Sequence, residues 1–225
     1  MLAVEDSLTA PRYSFAEADR LAGVGRGTSK RWLMGYTYWY APGELRTSPP
    51  VSPEVEHHGG AAFIDLMEIV VIGGLRRKGF SLTTIRRLNE FCQTYLHITR
   101  PLVTETFKVD GRDAFILAGR SQLVNVTTQA GTMAWSEVLD PFLENVDFEH
   151  ELARRWWPRG RREPIVLDPD YGFGLPVVHG TSVRTEIVAE RALAGDATGE
   201  IAYDFGLDHH QIESALRYEG VSLAA

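Results

Sequence analysis

The sequence predicts an α+β chain, mainly helical, on three observations. Apolar residues recur at helical spacing over 15–22, 62–78 and 82–95, the pattern of helices with a buried face. Aromatic and β-branched runs flank Pro42-Gly43 and Asp110-Gly111, which read as short strands joined by tight turns. A hydrophobic content of 44% and a charged content of 24% are those of a folded chain. The 225 residues suffice for one or two ordinary cores, at about 150 residues per domain. The elements group into an N-terminal domain, 1–98, a connecting α+β module, 99–162, and a C-terminal three-helix domain, 163–225.

The first helix starts after Ser14. Ser14 followed by Glu17 is a capping box, and Phe15, Ala18, Leu21 and Ala22 share one face. Gly23 closes the helix and Val24 packs beneath the turn. A second helix runs from Arg26 to Met34 with Trp32 and Leu33 inward. That leaves Arg26, Thr28, Ser29, Lys30 and Arg31 exposed. Hydroxyls and cations together suit a recognition helix, which meets phosphates and base edges in the major groove. Gly25 and Gly27 predict a frayed start until DNA binds, since Gly costs about 1 kcal/mol against Ala inside a helix. Tyr36 to Tyr40, the Pro42-Gly43 turn and Leu45 to Thr47 read as a β-wing. Tyr38 is a candidate DNA contact there. The wing aromatics, Trp39 above all, either stack on DNA or form a lid over the helix-turn-helix core. Residues 48–60, with their prolines and glycines, read as a loop.

The third helix, from Ala62 to Lys78, is apolar nearly all round, so it must bury more than one face. That excess, with the two-fold symmetry of operators, predicts a homodimer. Ser81 caps a fourth helix whose inner stripe is Leu82, Ile85, Leu88, Cys92 and Tyr95. Cys92 on that stripe is expected to be buried rather than reactive. Arg86 and Arg87 lie outside, and Arg86 joins the candidate DNA contacts.

In the middle module, Val103 to Val109 and Asp113 to Leu117 read as a hairpin, and Leu123 to Thr127 as a further strand. Trp135, Val138, Leu139, Phe142 and Leu143 have helical spacing, and Val146 to Trp157 holds one or two strands. Five arginines, 154, 155, 159, 161 and 162, surround Trp156-Trp157. They either form a nucleic-acid patch, or the tryptophans pack between modules and the arginines stay solvated or meet the acidic C-terminus.

The net charge of −7 is uneven. Residues 1–100 carry 12 Lys and Arg against 10 Asp and Glu, whereas residues 164–225 carry 3 against 10. The first segment can approach phosphates and the last is repelled by them; the acidic end alternatively serves only solubility. No apolar run reaches the ~20 residues of a membrane span, and Glu5 and Asp6 stand where a signal peptide needs positive charge. With the single Cys92, this predicts a cytoplasmic protein. The doublets His57-His58 and His209-His210 diverge on any regular backbone, so no metal or cofactor is expected. Asp168 and Asp170 lack a companion nucleophile or base, and no enzyme is expected.

Two resemblances follow from particular residues. Glu17-Ala18, Leu21-Ala22-Gly23-Val24, Thr28, Arg31-Trp32, Leu75-Arg76, Gly79-Phe80-Ser81-Leu82 and Ile85-Arg86 resemble the MerR-like winged-helix regulators. Ser29 departs from that pattern, standing where an apolar residue is usual. Asp168-Pro169 followed by Gly174-Leu175-Pro176-Val177-Val178-His179-Gly180-Thr181-Ser182-Val183 resembles the signature of a small domain of bacterial antitoxins paired with PIN-type ribonucleases. Ser182 departs from it, where an Arg is usual. The arrangement as a whole is similar to the antitoxin of a VapBC-like pair. The resemblance implies a toxin-binding C-terminal domain, with His179, Thr181 and Arg184 as candidate contacts, and a cognate PIN-type toxin and promoter DNA as partners. Alternatives stay open: a ligand-responsive MerR-like transcription regulator, or a second DNA-binding head in the last three helices.

Overall fold

The computed structural model describes residues 7–52, 59–97, 100–105 and 140–222. It shows a mixture of helices and small two-stranded sheets, in agreement with the α+β expectation. The chain clusters into two compact units: residues 1–144 with 148–153, and residues 145–147 with 154–225. The expected hairpin of 103–117 falls largely, and the strand at 123–127 wholly, outside the described residues, as does His57-His58.

In the first unit, α1 (Phe15–Leu21) carries the expected capping box. The Glu17 amide donates to the Ser14 hydroxyl at 3.2 Å and the Ser14 amide donates to Glu17 at 2.9 Å. Hydrogen bonds from the Ser14 hydroxyl and amide hold the Glu17 carboxyl below its usual pKa. A turn leads to α2 (Thr28–Met34), with Trp32 and Leu33 buried as expected. Then come β1 (Tyr36–Ala41) and β2 (Glu44–Ser48), an antiparallel wing pairing Tyr38 with Arg46 and Trp39 with Leu45.

Helix α3 (Phe63–Arg77) is the axis of this unit: Phe63, Leu66, Met67, Ile69 and Leu75 are wholly buried. Each such side chain contributes about 1.5–3 kcal/mol by leaving water. The surrounding elements of a single chain already cover every face of α3 but Val70 and its C-terminal turn. Among the described residues α3 thus leaves no broad apolar face uncovered, and the homodimer expectation does not rest on this helix. Helix α4 (Leu82–Leu96) follows, capped by Ser81 and burying Ile85, Leu88 and Cys92. Burial pushes the Cys92 thiol up to about 12, so it stays protonated and inert. Three residues of the expected stripe are thus buried and Leu82 is half-buried, while the Tyr95 side chain lies outside what is described. Arg100 crosses to the buried carboxylates of Asp65, at 2.6 Å, and Glu68, at 3.5 Å.

A short helix, α5 (Asp140–Glu144), precedes β3 (Val146–Glu149) and β4 (Leu152–Trp156), which pair with each other. The expected strand content of 146–157 is thus two strands. In the second unit, β5 (Ile165–Val166) and β6 (Val177–Val178) pair antiparallel. Helices α6 (Thr185–Leu193), α7 (Thr198–Phe205) and α8 (His209–Tyr218) close around them. Ile165, Val178, Val188, Ile201, Leu207, Ile212 and Leu216 form the core there.

Candidate nucleic-acid interface and the acidic C-terminal unit

Asp19 organises the start of α2. Its carboxylate is 4% exposed and accepts from the amides of Gly27, at 2.5 Å, and Ser29, at 2.7 Å. Those are orphan donors at the start of α2, which has no cap of its own. A carboxylate at a helix N-terminus also meets the positive end of the dipole. Gly27 sits at φ 76°, a left-handed conformation that glycine adopts at little cost. The frayed start expected from Gly25 and Gly27 is therefore corrected: Gly27 is the hinge and Asp19 the cap.

A second correction concerns Ser29. It is fully buried, not exposed, and its hydroxyl finds no hydrogen-bond partner among the described residues. The exposed set is Arg26, Lys30 and Arg31, with Thr28 half-buried. Arg26 and Lys30 form no ion pair with a described residue. Arg31 donates to the Gly27 carbonyl at 3.1 Å and lies 5.9 Å from the centre of the Tyr36 ring.

Tyr36 in turn lies 5.6 Å from Tyr38, and Arg46 lies 3.3 Å over the Tyr40 ring. Helix cations therefore run into an aromatic, cation-topped wing face. Trp39 is 68% exposed and Leu45 55%, so the lid over the helix-turn-helix core is ruled out. Arg86 has a different task from the expected one. It donates to the Ser48 hydroxyl at 2.9 Å and to the carbonyls of Pro49, at 2.5 Å, and Pro50, at 3.0 Å. It ties the base of the wing to α4, and partial burial lowers its pKa.

The second unit is built around another buried carboxylate. Asp168 is 2% exposed and accepts from Arg154 at 3.1 Å and from Arg155 at 2.8 Å and 2.9 Å. It also accepts from the Asp170 amide at 3.0 Å, while Asp170 pairs with Arg154. Asp147 takes Arg161 at 2.7 Å and the Trp157 indole at 3.1 Å. Trp156 and Trp157 are buried. The arginine cluster thus resolves toward the packed alternative: three of its five members meet aspartates. Asp168 and Asp170 are structural.

Each of the three arginines beyond residue 164 is likewise paired: Arg184 with Glu186, Arg191 with Asp196 and Asp204, and Arg217 with Glu163. Hydrogen bonds from Arg191 to Asp204 and Asp196 raise its pKa. Arg184, a candidate toxin contact, pairs with Glu186 at 2.8 Å. His179 is exposed, its ring tilted 51° to that of Trp157 with centroids 4.7 Å apart. Thr181 donates to the Val178 carbonyl at 2.8 Å and accepts from the Val183 amide at 3.1 Å, fixing the turn into α6. His179 and Thr181 line one cleft of about 140 Å³ with Arg155, Asp168 and Tyr171.

His209 pairs with Glu213 while His210 turns to the Arg162 carbonyl, so the doublet diverges. No three His, Cys, Asp or Glu among the described residues are grouped to hold a metal. No described helix is long and apolar enough to cross a membrane.

Residues 165–218 match a protein family described as of unknown function, DUF433. Two Mycobacterium tuberculosis proteins are similar over nearly the whole chain. One, provisionally named antitoxin VapB45, is 27% identical over 222 residues, 92% of this chain and 92% of its own. The other, named uncharacterized protein Rv2308, is 25% identical over 229 residues, 96% of this chain and 93% of its own. The crystal structure of Rv2018 from the same organism has a TM-score of 0.72 over 92% of this chain and 98% of that one. At 22% identity, that likeness is one of fold.

Proposed function

We propose that this chain is an antitoxin. Its N-terminal winged helix-turn-helix, of MerR-like type, binds the promoter of its own operon as a homodimer. Its acidic C-terminal domain, 163–225, holds a PIN-type ribonuclease in the cytoplasm and blocks its RNA path, and 99–162 connects the two. One observation carries the reading: Arg26 and Lys30 on α2 stand exposed with no ion pair to a described residue, beside an exposed aromatic wing whose Arg46 is paired with Glu44, while every arginine of 164–222 is paired with an acid. A ribonuclease must present basic surface to RNA, and an unrelieved acidic surface is complementary to it. The similarity to a protein named as an antitoxin supports this.

The DNA contacts in this reading are Arg26, Thr28, Lys30, Arg31 and Tyr38; Arg86 positions the wing, and Ser29 is withdrawn. Changing Lys30 and Arg31 together to Ala is expected to flatten the salt dependence of operator binding by about one unit of slope per lost phosphate contact. The neighbouring gene is expected to encode a PIN-type ribonuclease that the full chain inhibits. A double variant with the wild-type slope removes the DNA half of the proposal, and an uninhibited ribonuclease removes the toxin half.

A further inference from the structure

The turn between β5 and β6 contains a side chain that the fold does not use. Gly172, Phe173 and Gly174 all have left-handed backbone, at φ 54°, 60° and 79°. Phe173 is 81% exposed. A large L-residue in that region is strained, and an exposed aromatic ring in water offers the fold no compensation. The turn is nevertheless held firmly. The Tyr171 amide donates to the Asp168 carbonyl at 3.0 Å, Gly174 to Tyr171 at 2.9 Å and Leu175 to Gly172 at 3.1 Å. A Cβ at Gly172 would stand 2.3 Å from Val177 Cγ1, so the turn is seated directly on β6. Tyr171, half exposed, lines the cleft that also holds His179 and Thr181.

We infer that Phe173 is the anchor by which the second unit grips its toxin, inserting into an apolar pocket set within the toxin's basic surface. This inference rests on the antitoxin reading and assigns its contact. Three observations support it. The strain persists only because the neighbouring structure over-determines the turn, which is the pattern of a site held ready for a ligand. The backbone that presents the ring is already held by hydrogen bonds, so binding orders little more than the side chain, and aromatic anchors dominate interfaces. Residues 164–225 carry 10 Asp and Glu against 3 arginines, each arginine is paired with an acid, and Arg184 beside Gly172 is engaged by Glu186. Nucleic acid is the wrong occupant for a face of that sign.

The test is calorimetric titration of the full chain with the ribonuclease encoded beside its gene. Phe173→Gly removes the ring and relieves the backbone strain together. The variant is expected to bind at least about 30-fold more weakly, the loss that marks a binding hot spot. Its thermal midpoint is expected to stay within about 2 °C of wild type or above it. Tyr203→Ala, on α7 and 88% exposed, is expected to change affinity less than about threefold. Wild-type binding with unweakened Phe173→Gly overturns the anchor and leaves the antitoxin reading standing. Weakened binding with a clearly lowered midpoint makes Phe173 a structural residue and also overturns it, as does an equal loss in Tyr203→Ala. No binding by the wild-type chain overturns the antitoxin reading itself.

Discussion

Asp19 and Asp168 are both buried carboxylates, yet they are satisfied by donors of opposite kind. Asp19 accepts from two backbone amides. Amides carry no net charge, so the acid is satisfied without consuming a cation, and Arg26 and Lys30 stay exposed with no ion pair to a described residue. Asp168 accepts from two guanidiniums. It is satisfied by neutralising arginines that would otherwise project from β4. The same residue type thus preserves positive charge in one unit and removes it in the other. A carboxylate's effect on recognition depends on whether its donors are backbone or side chain, and the residue count alone does not show which.

The largest expected effect comes from breaking the second arrangement. Asp168→Ala leaves Arg154 and Arg155 facing a void, although Asp170 and Asp147 still hold them partly. Removing one partner of a buried pair costs about 3–5 kcal/mol, and the remaining aspartates argue for the lower end. Hydrogen exchange should show the loss confined to the second unit. Operator binding should be unaffected. Uniform destabilisation of both units would show that Asp168 does not act locally.

Asp19→Ala is the matching change in the first unit. It strands the amides of Gly27 and Ser29, and a buried unsatisfied donor costs about 1–3 kcal/mol. Both thermal stability and operator affinity should fall, because the start of α2 loses its cap. Asp19→Asn, which keeps one acceptor, should recover part of each. If operator affinity survives Asp19→Ala intact, DNA itself can order the helix, and the frayed start read from the two glycines returns.

Much of the first unit was legible in the sequence. Ser14 with Glu17 places the start of α1, the aromatic run from Tyr36 places the wing, and the apolar run of 62–78 places the central helix. Such signals are local, involving residues a few positions apart on one element. Asp19 was missed because its partners lie eight and ten positions away, across a turn. Arg86 was misjudged for the same reason, since its acceptors lie 36 to 38 positions back. An exposed place on a helix says where a guanidinium starts, and not what its long side chain reaches. Ser29 is different. The family resemblance marks its position as apolar, so the signal for burial was present, but the hydroxyl was read as a DNA contact. Phe173 had no sequence signal at all, because left-handed backbone at a non-glycine residue is a product of tertiary packing.

Cys92 lets the two units be followed separately, since the only thiol of the chain lies in the first. Its folded pKa of about 12 stands above the ordinary value of 9.0. The protonated form is therefore favoured in the folded state. Above pH 9 the unfolded chain has released this proton while the folded chain retains it, so stability falls as pH rises. The slope from this group is about 1.4 kcal/mol per pH unit until the folded thiol also titrates. Below pH 8 the group contributes no slope. The check is the stability of the first unit from pH 8 to 10.5, wild type against Cys92→Ala. The difference between them should grow steadily more unfavourable to wild type as pH rises. Parallel curves would mean that the thiol reaches water in the native state.

The smallest effect has the opposite sign. Ser29 is wholly buried in α2 and its hydroxyl has no partner among the described residues. Its amide, by contrast, is bound to Asp19. Ser29→Ala keeps that amide, removes the unsatisfied hydroxyl and installs a better helix former. The expected result is a gain of about 1 kcal/mol, read as a raised midpoint in denaturant at unchanged slope. Operator affinity should stay the same or improve slightly, because the side chain faces the core and the cap is intact. Were affinity instead to fall while stability rose, the hydroxyl would have to reach DNA. Ser29 would then have to turn outward in the complex, and the face that α2 presents to the groove would be rotated from the one carrying Arg26, Lys30 and Arg31.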